Sequence, residues 1–204
     1  MNEISDDTIF FKQELSERYA LPESASVLLR GGLLQPSELE EYAGVRFADD
    51  LEFAEGTGPR TGGRCPIAYV WERTAEYLVI ESGSGEIRAC GPDGGKSVFV
   101  NTDLSSLLRC LNAYREFRRR RPPVPQPLTL NAEEARRMLE AFRRGEIKPK
   151  RTTEESARRE ADERRERLEL RALRDTLRRE DPACLERRGT WWKIVLEQVR
   201  DGLI

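Results

Sequence analysis

The chain contains no histidine, and that removes a large part of enzyme chemistry. A Ser-His-Asp triad, a Cys-His pair and every His-containing zinc site are excluded within its 204 residues. Cysteine is sparse as well. Cys65, Cys90, Cys110 and Cys184 are scattered with no CxxC pair, so they read as reduced thiols of a cytosolic protein that binds no stoichiometric zinc. No Walker loop, no GxGxxG after a strand and no HExxH is present. Gly56-Thr57-Gly58 and Gly62-Gly63 have no phosphate-binding helix after them and read as a flexible loop. No apolar run approaches the roughly 18 residues of a membrane span. The first residues, MNEISDDTIFF, are acidic where a signal peptide is basic. Carboxylate-only catalysis and Lys or Tyr chemistry survive these exclusions, but no paired-carboxylate geometry can be read from the sequence, and no cofactor is implied.

What the chain has in abundance is charge: 35% of residues are charged against 38% hydrophobic, too polar for all of it to be packed on every side. The net charge is only −2, unevenly spread. Residues 1–60 hold 13 acidic and 5 basic side chains, net −8; residues 61–108 are net −2; residues 109–204 hold 18 acidic and 26 basic, net +8. The acidic third is suited to steering a basic partner, and the basic third to touching nucleic acid or an acidic protein. Asp49, Asp50, Glu52 and Glu55 cluster around Leu51 and Phe53 and form the densest acidic group; an ordinary solvated loop is the competing reading.

The patterning is most regular over 77–114. Tyr77 to Glu81, Glu86 to Cys90 and Ser97 to Asn101 read as short strands separated by Gly83-Ser84-Gly85 and Pro92-Asp93-Gly94-Gly95. Asn101 or Thr102 is placed to cap a helix whose one face carries Leu104, Leu107, Leu108, Leu111 and Tyr114. Upstream, Phe11, Leu15 and Tyr19 fall on one helical face, Pro22 opens a short helix through Val27, Leu28 and Leu29 that Gly31-Gly32 ends, Pro36 to Tyr42 is a helical turn, and Ile67 to Trp71 alternates as a strand. Helices, then an antiparallel meander and a closing helix, make an α+β arrangement with a central antiparallel sheet flanked by helices.

Arg118 to Arg121 and the PPVPQP that follows read as a stiff connector. Asn131 with Glu134 forms a capping-box pattern for a helix with Ala135, Met138, Leu139 and Phe142 on its apolar face and Gly145 at its end. Thr153 to Glu180 is a highly charged helix. Glu154–Arg158, Glu155–Arg159, Glu160–Arg164 and Glu163–Arg167 have the favourable i,i+4 order. Its first half offers only Ala157 and Ala161 to a core, whereas Leu170, Leu173 and Leu177 are spaced to dock. The acids interspersed among its arginines argue against a dedicated nucleic-acid helix. Asp181-Pro182 ends it, and Thr190 to Ile204 forms a last amphipathic helix with Trp192, Val195, Leu196 and Val199 on one side. The expected division is 1–117 core, 118–180 connector and charged insertion, and 181–204 a C-terminal helix packing back.

Leu21-Pro22 with Leu28-Leu29 and Gly31, Gly85-Glu86-Ile87 after a strand, Val98-Phe99-Val100-Asn101-Thr102 leading into a helix, and Asp181-Pro182-Ala183 with Trp191-Trp192 to Gly202-Leu203-Ile204 share an order and spacing. In these features the chain resembles the SUKH superfamily, in particular the fourth group of SUKH immunity proteins from bacterial polymorphic-toxin systems. The resemblance implies an α+β fold and a non-catalytic, cytosolic inhibitor that binds a cognate protein toxin, often a nuclease or nucleic-acid deaminase. On that reading Asp49, Asp50, Glu52 and Glu55 would occupy a basic nucleic-acid cleft on the toxin. A regulatory protein-interaction adaptor is the alternative, a nucleic-acid binder using Arg118 to Arg121 and the 143–167 region comes third, and a carboxylate enzyme last.

Overall fold

The computed structural model describes residues 7–53, 63–121, 131–146 and 153–204, with the backbone alone for 153–156, 158 and 159. The elements in chain order are β1 (Asp7–Ile9), α1 (Gln13–Arg18), α2 (Glu23–Gly31), β2 (Leu33–Gln35), a 3-10 turn (Leu39–Tyr42), β3 (Val45–Phe47), β4 (Arg64–Val70), β5 (Glu76–Glu81), β6 (Ile87–Cys90), β7 (Ser97–Asn101), α3 (Leu104–Arg120), α4 (Ala132–Arg143), α5 (Thr153–Glu180), α6 (Ala183–Glu186) and α7 (Trp191–Arg200). The fold is α+β, with an antiparallel five-stranded sheet in the order β3-β4-β5-β6-β7 flanked by helices. A separate antiparallel ribbon pairs β1 with β2.

Period-2 alternation gives the sheet two unlike faces. Leu78 and Ile80 of β5 and Ile87 and Ala89 of β6 point into the main core with Leu104, Leu107, Leu111 and Tyr114 of α3, Leu29 of α2, Leu173 and Leu177 of α5, and Trp192, Val195 and Val199 of α7. The opposite face carries a second cluster of Tyr77, Val79, Cys90 and Leu51, with Tyr69 and Phe53 beside it. The leucines spaced to dock on α5 therefore do so. Ala157 and Ala161, the apolar residues of its first half, are exposed.

Several expectations are corrected. The cap of α3 is neither Asn101 nor Thr102: Ser106 N–H donates to Asp103 Oδ1 at 2.7 Å, and Asn101 is fully buried. Phe11 is not on a helix; α1 starts at Gln13, and the Phe11 amide donates to Leu29 O at 3.2 Å. The strand expected at Ile67–Trp71 is Arg64–Val70, and Trp71 leaves it with φ +60°. Arg118 to Arg120 are the last turn of α3 rather than connector. The strands β1, β2 and β3, of three residues each, were not expected. PPVPQP and Gly56, Gly58 and Gly62 lie outside the described residues, as do the side chains of Glu154, Glu155, Arg158 and Arg159.

Two compact units are distinguished: residues 1–120 with 170–204, and residues 121–169. In the second, Asn131 accepts from the amides of Glu133 and Glu134 while Glu134 accepts from the Asn131 amide, completing the capping box. Met138, Leu139 and Phe142 of α4 are all exposed.

Candidate protein-interaction site

The segment from Ala48 to Phe53 leaves β3 and lies on the sheet face away from the helices. Leu51 is buried there against Tyr77, Val79 and Cys90, and the Phe53 ring sits 5.9 Å from that of Tyr77. Two apolar anchors therefore fix a short strap, and the acids beside them face outward: Asp49, Asp50 and Glu52 are all exposed. Asp50 pairs with Arg73 at 2.5 Å, and that guanidinium holds its carboxyl below the usual carboxylate range. Glu52 makes a longer pair with Arg18 at 3.7 Å. Asp49 has no ion-pair partner among the described residues. Glu55, the fourth member of the expected cluster, lies outside the described residues. So the structure brings three of the four acids onto one strap, two of them already matched by arginines.

Beside the strap the same face carries a ladder of alternating charge. Arg64 and Arg88 both reach Glu81 Oε1, at 3.2 and 3.5 Å. Arg88 also pairs with Glu86 at 3.2 Å, and Glu86 with Arg187 at 3.1 Å. The Arg187 guanidinium stacks 4.0 Å over the Phe99 ring. Arg88 Nε further donates to Ser97 Oγ at 2.9 Å. Partly buried, mutually satisfied ion pairs of this kind fix geometry more than they add stability. Sequence reasoning passed over the ladder. Its signal was present, because alternation puts Arg88 on the face opposite Ile87 and Ala89.

A buried polar node on the helix side holds the C-terminal segment. Asp181 Oδ2 accepts from Asn101 Nδ2 and from the Thr102 amide, each at 2.8 Å. Trp192 Nε1 donates to Asn101 Oδ1 at 2.9 Å. Trp191 Nε1 donates to Glu76 at 3.2 Å; burial raises the Glu76 carboxyl above its ordinary range, and that bond offsets only part of the shift. All four cysteines are free and buried. Burial pushes the Cys65 thiol up to about 12 and Cys90 up to about 11, the opposite of what a nucleophilic thiolate needs. Cys184 is raised too, first by its hydrogen bond with Cys110. Among the described residues no group of three or more Cys, Asp or Glu is arranged to hold a metal ion, and no helix is long and apolar enough to cross a membrane.

The scaffold is a helix-backed antiparallel meander that carries a clamped acidic strap on its other face. The chain belongs to the SUKH-4 immunity protein family, whose model matches residues 7–145. No curated protein and no solved structure is significantly similar to it. Membership of an immunity family implies a protein toxin as partner and a non-catalytic role. The matched region holds the whole sheet, α3 and α4, while α5 to α7 lie beyond it.

Proposed function

We propose that this chain is a cytoplasmic antidote that neutralises a basic, nucleic-acid-targeting toxin by covering its active cleft, with Asp49, Asp50, Glu52 and Glu55 facing the cleft's cations. The observation that carries the reading is the strap. Leu51 and Phe53 are anchored to the sheet, so the carboxylates of Asp49, Asp50 and Glu52 are presented from a fixed backbone. Pre-positioned charge lowers the ordering cost of association and raises its rate. The pairing of Asp50 and Glu52 with arginines makes Asp49 the acid most available to a partner. Buried, protonated thiols and the absence of histidine support a chain that works by binding alone.

The test is co-expression with the chain's cognate toxin. Cells carrying the wild-type chain are expected to grow, and cells carrying the Asp49→Lys, Asp50→Lys, Glu52→Lys, Glu55→Lys variant to be poisoned. Growth with that variant at equal protein level would remove the strap from the mechanism.

A further inference from the structure

The β4–β5 hairpin departs from ordinary geometry at its exposed corner. Trp71 takes φ +60°, a region open to glycine and strained for a bulky side chain. Its amide donates to Gly44 O at 2.8 Å. Its indole lies so close over Gly44 that a Cβ there would stand 2.4 Å from the ring. Gly44 is itself at φ +82° and Ala43 at φ +54°, where they close the 3-10 turn before β3 with their amides donating to Leu39 O and Glu40 O. The indole is held in place, yet Trp71 remains 37% exposed, whereas Trp191 and Trp192 are 5% and 0% exposed. Strain kept at a surface position, with an aromatic held and partly bare, suits a binding role better than a packing one.

The surroundings of this corner carry both signs, with Arg46 of β3 opposite Tyr69, and are continuous with the strap. Arg73, two residues on, crosses to Asp50 and ties the hairpin to the strap. Glu72 is exposed, and like Asp49 it has no ion-pair partner among the described residues. Residues 1–60, which supply Gly44 and the strap, are net −8. A held indole followed in the chain by the exposed carboxylate of Glu72 is complementary to the guanidinium or ammonium of a basic protein segment, which gains from the ring quadrupole and from the counter-charge together.

We infer that the Trp71 corner is the anchor of the toxin contact, where the indole stacks on an arginine or lysine of the toxin and Glu72 and Asp49 supply the counter-charge. This rests on the proposed toxin-binding reading and names the chemistry of its central contact.

The probe is fluorescein-labelled nona-arginine, titrated by anisotropy into the full chain at near-physiological salt. The wild-type chain is expected to bind it saturably. Trp71→Ala is expected to weaken binding about tenfold, with Trp71→Phe keeping much of the affinity because it keeps a π-face. Glu72→Lys should weaken binding as well; at an exposed turn it leaves folding intact, so it carries the test if Trp71→Ala fails to fold. No binding by the wild-type chain, or wild-type affinity in both Trp71→Ala and Glu72→Lys, overturns the inference. Protection in the co-expression assay separates the two levels. Full protection by Trp71→Ala refutes the anchor and leaves the toxin reading standing, whereas no protection by the wild-type chain refutes the toxin reading itself.

Discussion

Asn101 uses both ends of its buried amide, accepting from Trp192 and donating to Asp181, so two residues far along the chain depend on one side chain. Removing Asp181 is the sharper perturbation. Asp181→Ala strips the acceptor from the Asn101 amide and the Thr102 N–H at once, and an unmet buried donor costs about 1–3 kcal/mol. Asp181→Asn keeps an acceptor oxygen and should cost distinctly less. Urea unfolding of the two variants checks the order; equal losses would show that the carboxylate acts through packing alone. Glu76 gives a pH signature. Its carboxyl is raised by burial, so its favourable contribution is present below its unfolded value and is lost as pH rises through the raised folded value. Glu76→Gln should therefore raise the melting temperature at pH 7 and leave it unchanged at acid pH. The gain is at most ~1 kcal/mol, because the group is partly exposed. A gain that persists undiminished in acid would contradict that assignment.

At the scale of elements, the sheet succeeds because each face is covered by something different: helices on one side, the strap and an ion-pair ladder on the other. Strand β7 is at the sheet edge, and α6 and α7 both contact it, which shields it from pairing with another chain. Trp192 is the largest side chain fully buried in the core, lying 6.3 Å from the Tyr114 ring and 5.0 Å from that of Trp191. Trp192→Ala is expected to cost about 3–5 kcal/mol, most of the margin of an ordinary domain; an unchanged melting temperature would contradict its place in the core. Strands β5 to β7 and α3 were legible in the sequence because alternation and 3.6-residue periodicity run long enough to be distinguished there. Strands β1 to β3 were not, since three residues cannot show a period and β1 finds its partner only across α1 and α2. The Asp181–Asn101–Trp192 node was hidden for a related reason. Its bonds span 80 and 91 residues, and Asp181 read locally as no more than a helix stop. The acidic cluster was visible, with Leu51 and Phe53 inside it, but not the sheet face that anchors them. Trp71 was mistaken for a strand residue because nothing in a tryptophan announces a left-handed backbone.

For the whole molecule, family and fold do not share a boundary. The family match ends at residue 145, yet residues 170–204 belong to the same compact unit as residues 1–120, and their leucines and tryptophans complete its core. Net charge near zero hides an acidic N-terminal third and a basic C-terminal half, and the proposed toxin contact belongs to the acidic part. The most direct test is the association rate with the cognate toxin, measured across a salt series. Reversing Asp49, Asp50, Glu52 and Glu55 to lysine should slow association by about tenfold or more at low salt and far less at high salt. Folding should be little changed, since surface substitutions usually shift stability by no more than about 0.5 kcal/mol. Reversal of Glu160, exposed on α5, should leave the rate unchanged. Slowed association in the Glu160 variant, with the strap variant binding at the wild-type rate, would put the contact on the charged helix and contradict the account.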